Sequence, residues 1–303
     1  MNAVHIATRK TRSIMALGAL ALTLSLAACG DKTETAQAGA AARPATANID
    51  EKYNAYVSGF NRLQTNQTQK NAEDWTRINV AKNDMKNNIY FFNNDNQVVQ
   101  AVDSLKAGRA MKVDGTEAAD RAADKLIENG DALAAQLREM NPYFKSAAYR
   151  DDKLAKAKAA DAPMRAAYTG VLQGMEEMEA ALGAHQKKRD AERAEAYKKA
   201  GNMTGYHLTI ATLRGSDLVD AASDSDFEQA DKLVAEIDAS LAALRTEQAK
   251  LKGPQATSLG SITDQLNNML GSYRSFKQRK EPRDFDQMVR AYNSAITHSN
   301  AGQ

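Results

Sequence analysis

From residue 49 onward the apolar residues recur at spacings of three and four and almost never alternate by two. A helix turns once in about 3.6 residues, so this spacing keeps an apolar stripe on one face, whereas a half-buried strand needs period two. The clearest series is Phe227, Ala230, Val234, Ile237, Leu241, Leu244 and Leu251, opened by Ser225-Asp226-Phe227-Glu228 and ended near Gly253-Pro254. There Ser225 is the expected N-cap and Glu228 its capping-box partner. Others run from Ala119 to Met140, ending at Asn141-Pro142, from Met164 to His185 after Pro163, from Leu259 to Phe276, and from Phe285 to Ile296. Weaker patterns predict helices over residues 50–65, 73–92, 97–111, 146–160 and 203–222. With the prolines of residues 49–303 read as helix breaks, the fold class is all-α: an elongated antiparallel bundle of about nine helices. The methionines on the apolar faces are expected to fill the core.

Residues 1–28 have a different composition. Arg9, Lys10 and Arg12 precede an uncharged core of 14 residues, 13–26, rich in leucine and alanine, which is the layout of an export signal. A spanning helix needs about 20 apolar residues, so this core is too short to stay in a bilayer. Leu26-Ala27-Ala28-Cys29 resembles the lipobox of bacterial lipoproteins, which implies cleavage after Ala28 and acylation of Cys29 by palmitate-type chains. Cys29 is the chain's only cysteine, so an intramolecular disulfide is impossible and packing must stabilise the domain. Gly30 follows Cys29 where inner-membrane lipoproteins carry Asp, so the expected address is the outer membrane, on its periplasmic face. Residues 29–48 contain no large apolar side chain after the cysteine and read as a flexible tether to a helical domain over 49–303.

Without the three bases of the signal, 37 bases face 38 acids, and such a balance carries no footprint of nucleic-acid binding. Lys52-Tyr53-Asn54-Ala55-Tyr56-Val57, Tyr143, Tyr149-Arg150-Asp151-Asp152-Lys153 and Ala291-Tyr292-Asn293 resemble the YiiG-like family of bacterial lipoproteins, a domain of unknown function. The resemblance implies a helical envelope lipoprotein and brings no activity or cofactor. YNAYVSGFN at residues 53–61 and YNSAITHSN at 292–300 also share a Tyr and Asn pattern, from which the first and last helices are expected to pack together, Tyr53 and Val57 near Tyr292 and Ile296.

The chemistry is sparse. His185, His207 and His298 lie far apart, no carboxylates stand at metal-ligand spacing, and no nucleophile-elbow or phosphate-loop motif occurs. No metal, no cofactor and no enzymatic activity are therefore expected. Asp151-Asp152 and Asp224-Ser225-Asp226 read as helix caps. Two surface features remain: Tyr90 and Phe92 within an asparagine-rich stretch, able to dock a peptide or a glycan, and the basic group Lys187, Lys188 and Arg189 in a helix end polar on nearly every face. That end is expected to project past the core or to lie along its rim. Together these features describe a lipid-anchored periplasmic interaction or scaffold module with an envelope protein partner. A solute- or glycan-binding lipoprotein is the alternative, and an enzyme without a recognisable motif the third reading.

Overall fold

The computed structural model describes residues 45–301, so Ala28 and Cys29 lie outside the described residues. The described residues are all-α: α1 (Ala45–Thr65), α2 (Thr68–Ile78), α3 (Asp95–Ala110), α4 (Glu117–Lys145), α5 (Ala155–Lys199), α6 (Met203–Ser223), α7 (Phe227–Gln248), α8 (Pro254–Arg279) and α9 (Pro282–Ala301), with one 3-10 turn at Ala148–Arg150. The chain forms two compact units, of residues 45–184 and 185–301, and α5 contributes to both.

In the first unit α1 and α4 pack on α3. Tyr56, Phe60 and Leu63 of α1, Val98 and Leu105 of α3, Leu126, Leu133 and Leu137 of α4, and Met164, Val171 and Met178 of α5 supply its core. In the second unit Leu218 of α6, Ile237, Leu241 and Leu244 of α7, Leu266 and Met269 of α8 and Met288 of α9 form a continuous cluster. Among the described residues six methionines, 140, 164, 175, 178, 269 and 288, are buried, as core filling requires.

Several boundaries differ from the sequence expectation. Pro142 and Pro163 do not end helices: each lies inside one, in α4 and α5. Both prolines are on the exposed side, as are Arg138 and Ala159, whose carbonyls lose their helical donor. Water can replace that bond, and the buried neighbours Tyr143, Phe144 and Met164 hold the helices together. The helix expected over 73–92 stops at Ile78, because Asn79 turns into the left-handed region (φ 49°) and its N–H bonds to Thr76 O at 3.2 Å. The N-cap of α7 is Asp226, whose side chain accepts from Gln229 N at 3.1 Å, while Ser225 takes a left-handed conformation (φ 61°). Gly253, also at positive φ (61°), turns the chain into Pro254 at the start of α8. The two Tyr-Asn segments serve separate cores: α1 finds its partner in α3, and α9 in α8 and α6.

Candidate functional site

Asparagines bracket the stretch where the helical pattern fails. Asn79 ends α2 and Asn94 caps α3 by accepting from Gln97 N at 3.4 Å. Between them, residues 88–94 run without helix or bend, and burial alternates: Ile89, Phe91 and Asn93 are at most 8% exposed, whereas Tyr90 is 87% and Phe92 72% exposed. The inward side is held by specific bonds. Ile89 N donates to Tyr149 Oη at 3.1 Å, and Asn93 N donates to Asn141 Oδ1 at 3.2 Å. Asn141 Nδ2 returns a bond to Asn93 O at 2.7 Å, and Asn93 Nδ2 donates to Tyr168 Oη at 2.8 Å. Burial pushes the Tyr168 hydroxyl up to about 12, so it stays neutral beside Asn93. Phe91 meets Trp75 and Phe144 edge-on at centroid distances of 5.1 and 5.5 Å. Trp75 Nε1 donates to Asp161 Oδ1 at 2.9 Å. The outcome is a fixed, extended segment that presents two large aromatic side chains to solvent.

Two polar networks lie within the first unit, the first of them largely exposed and the second buried. Tyr143 donates to Asp152 at 2.8 Å, Asp152 accepts from Lys156 N at 3.0 Å at the start of α5, and Arg150 donates to Asn88 at 2.7 Å. Lys52, only 1% exposed, grips both oxygens of Asp120 at 2.8 and 2.9 Å, and Tyr56 donates to the same carboxylate at 2.5 Å. Arg109 reaches it at 3.5 Å and pairs with Asp124 at 2.7 Å. Burial raises the Asp120 carboxyl, but the Lys52 and Tyr56 hydrogen bonds and the nearby cations more than offset this and lower it. Every charge here has a partner inside the unit, so the network joins α1, α3 and α4 rather than offering a reactive group. No local pattern marks it, since Lys52 and Asp120 are 68 residues apart.

The basic group is divided by its surroundings. Lys187 lies between Asp217 (2.8 Å) and Asp220 (2.9 Å) of α6, and Arg193 pairs with Asp190 at 2.5 Å. Ala194 is 1% exposed, so this end of α5 lies along its unit's rim. Lys188 is exposed and makes no ion pair among the described residues. Nearby, an open acidic depression of about 450 Å3 is lined by Asp217, Asp220, Asp224, Asp226 and Glu236, with Arg214 bound to Glu236 at 2.6 Å. A second depression, of about 480 Å3, runs between α8 and α9 and is lined by amides, serines and Arg290. Neither contains an aromatic residue. Among the described residues no group of three or more His, Cys, Asp and Glu is placed to hold a metal ion, and no helix is long and apolar enough to cross a membrane.

No curated protein and no solved structure matches the chain. A family profile does match, over residues 47–299, and it places the chain in an uncharacterised family without the YiiG-like name. On that match the chain belongs to DUF3829, a family of proteins of unknown function.

Proposed function

We propose that this protein is a non-enzymatic interaction module of the bacterial cell envelope, anchored by acyl chains on Cys29 to the periplasmic face of the outer membrane. Tyr90 and Phe92 are its docking residues. The observation that carries the reading is their exposure, 87% and 72%, on a segment whose other face is fixed by buried bonds. Exposed aromatics on a preorganised backbone suit binding, because ordering them on association costs little and each ring can bury a large area. The lipobox-like Leu26-Ala27-Ala28-Cys29 and the likeness of residues 52–57 and 149–153 to YiiG-like lipoproteins support the envelope setting. A glycan-binding role is less well supported, since both depressions lack an aromatic ring for a sugar face.

Two substitutions test the reading. Cys29→Ala is expected to leave uncleaved precursor and to lose membrane fractionation, because stable anchoring requires more than one acyl chain. Tyr90→Ser with Phe92→Ser is expected to abolish proximity labelling of neighbouring proteins while leaving the thermal midpoint unchanged. Normal processing in the first variant would remove the anchor from the proposal, and unchanged labelling in the second would remove the docking residues.

A further inference from the structure

Only one edge of the aromatic segment is occupied. In extended backbone the N–H and C=O of one residue point to one side and those of the next residue to the other. On the side of residues 89, 91 and 93, the Ile89 N–H is taken by Tyr149, and both main-chain groups of Asn93 are taken by the Asn141 carboxamide, which stands in for a neighbouring strand. On the opposite side, among the described residues, the main-chain N–H and C=O of Tyr90 and Phe92 make no hydrogen bond within the protein. An extended edge with open donors, open acceptors and exposed apolar side chains is a template for another extended chain.

The sequence of that edge is complementary to itself. Residues 87–94 read Asn-Asn-Ile-Tyr-Phe-Phe-Asn-Asn, two amides on each side of four apolar residues, with no charge to repel a second copy. In an antiparallel pair centred on residue 91, Tyr90 of one copy stands opposite Phe92 of the other, twice. These are the residues whose main-chain groups face outward, so each Tyr90–Phe92 pair can exchange both of its backbone bonds. The four rings then lie on one face, as neighbours across the two strands. Such a contact is isologous and closed, as a two-fold dimer requires.

We infer that residues 88–94 of two copies pair edge to edge in antiparallel register and join two chains as a symmetric dimer. The inference rests on Tyr90 and Phe92 being the docking residues. Area sets its strength. An aromatic side chain offers about 150–250 Å2, so covering about half of four rings buries about 300–500 Å2, well under the roughly 1,200 Å2 of a stable interface. Association is therefore weak between free chains and grows where chains are confined, as on a membrane, where effective concentrations reach the ~mM range.

The test uses the full chain in cells, with photoreactive benzoylphenylalanine at position 90 or 92 and two differently tagged copies. The expected product is a mixed-tag species of twice the chain mass, whose linked peptides both come from residues 87–94. With the probe at position 90, Phe92→Pro removes an outward N–H without adding charge and should cut the yield about tenfold, while Phe92→Leu, which keeps that N–H, should cut it far less. Thermal melting of each variant checks that the fold is kept. Crosslinks solely to a different protein would overturn the dimer and leave the docking reading standing. No crosslink from either position would overturn both.

Discussion

Asp120 in the first unit and Asp190 in the second are partly buried carboxylates on helices, and the two have opposite environments. Asp120 in the first unit receives Lys52, Tyr56 and Arg109. Asp190 in the second receives Arg193 at 2.5 Å and Gln186 at 3.0 Å, with Arg189 contributing charge. Burial raises both; the donors around Asp120 overcome it and lower that carboxyl, while those around Asp190 do not, and it stays raised. Burial alone therefore does not decide whether an ionised side chain strains a fold. The balance between burial and the donors decides.

The largest effect should come from removing the buried cation. Lys52→Met leaves Asp120 without its buried cation, and breaking a buried pair from one side costs about 3 kcal/mol or more. Arg193→Met in the second unit removes a partner that is itself 27% exposed, from a carboxyl that burial already raises, and should cost about 1 kcal/mol or less. Chemical denaturation of the two variants measures both. Equal losses would remove the distinction between the networks.

Packing around the two tyrosines gives a smaller contrast. A Cβ on Gly108 would lie 2.6 Å from the Tyr56 ring, which Asp120 holds by its hydroxyl. A Cβ on Gly215 would lie 2.9 Å from the Tyr292 ring. Both are overpacked, so Gly108→Ala and Gly215→Ala should each cost about 1–3 kcal/mol, with Gly108 the worse because the approach is closer. A reversed order in thermal melts would mean that the Asp120 network yields more readily than its bonding suggests.

The helices were legible because an apolar stripe at period 3.6 needs no knowledge of its partner. Ends were legible where local chemistry decides, as at Gly253-Pro254. Pro142 and Pro163 misled because whether a helix survives a proline depends on which side the ring faces and what packs beside it, and those are tertiary facts. Residues 88–92 fall inside the helix expected over 73–92, although the stretch carries its own signal: Ile89, Phe91 and Asn93 alternate with Tyr90 and Phe92. Five residues of period two are too short a run to stand out from the helical pattern before them. Tyr90 and Phe92 themselves were legible as exposed candidates by their asparagine neighbours. The Lys52–Asp120 pair was not, because nothing in either local sequence points to the other.

Acid should separate the carboxylates. Asp120 has a lowered folded value, so its contribution is present above the ordinary Asp range and is lost as pH falls through that lowered value. Asp190 has a raised folded value, so its contribution is full below the ordinary range and is lost as pH rises through the raised one. Asp120→Asn should destabilise at neutral pH, and Asp190→Asn should stabilise by a smaller amount; both differences should shrink in acid, that of Asp190 first. Melting curves of the variants between neutral and acidic pH supply the test. A destabilising Asp190→Asn at neutral pH would show that Arg193 depends on the charge.

The smallest contrast lies within one unit and between adjacent residues. Lys187 bridges Asp217 and Asp220 of α6, while Lys188 points to solvent with no ion pair among the described residues. A bridge at this exposure contributes at most about 1 kcal/mol, and salt screens it. Lys187→Ser should therefore lower stability slightly at low ionic strength and not at about 1 M salt, where the Debye length falls to about 3 Å. Lys188→Ser should leave stability unchanged at either salt concentration. If the two variants instead behave alike and both weaken binding to an envelope partner, the basic group acts as one docking patch, and Lys187 leaves its aspartates to join it.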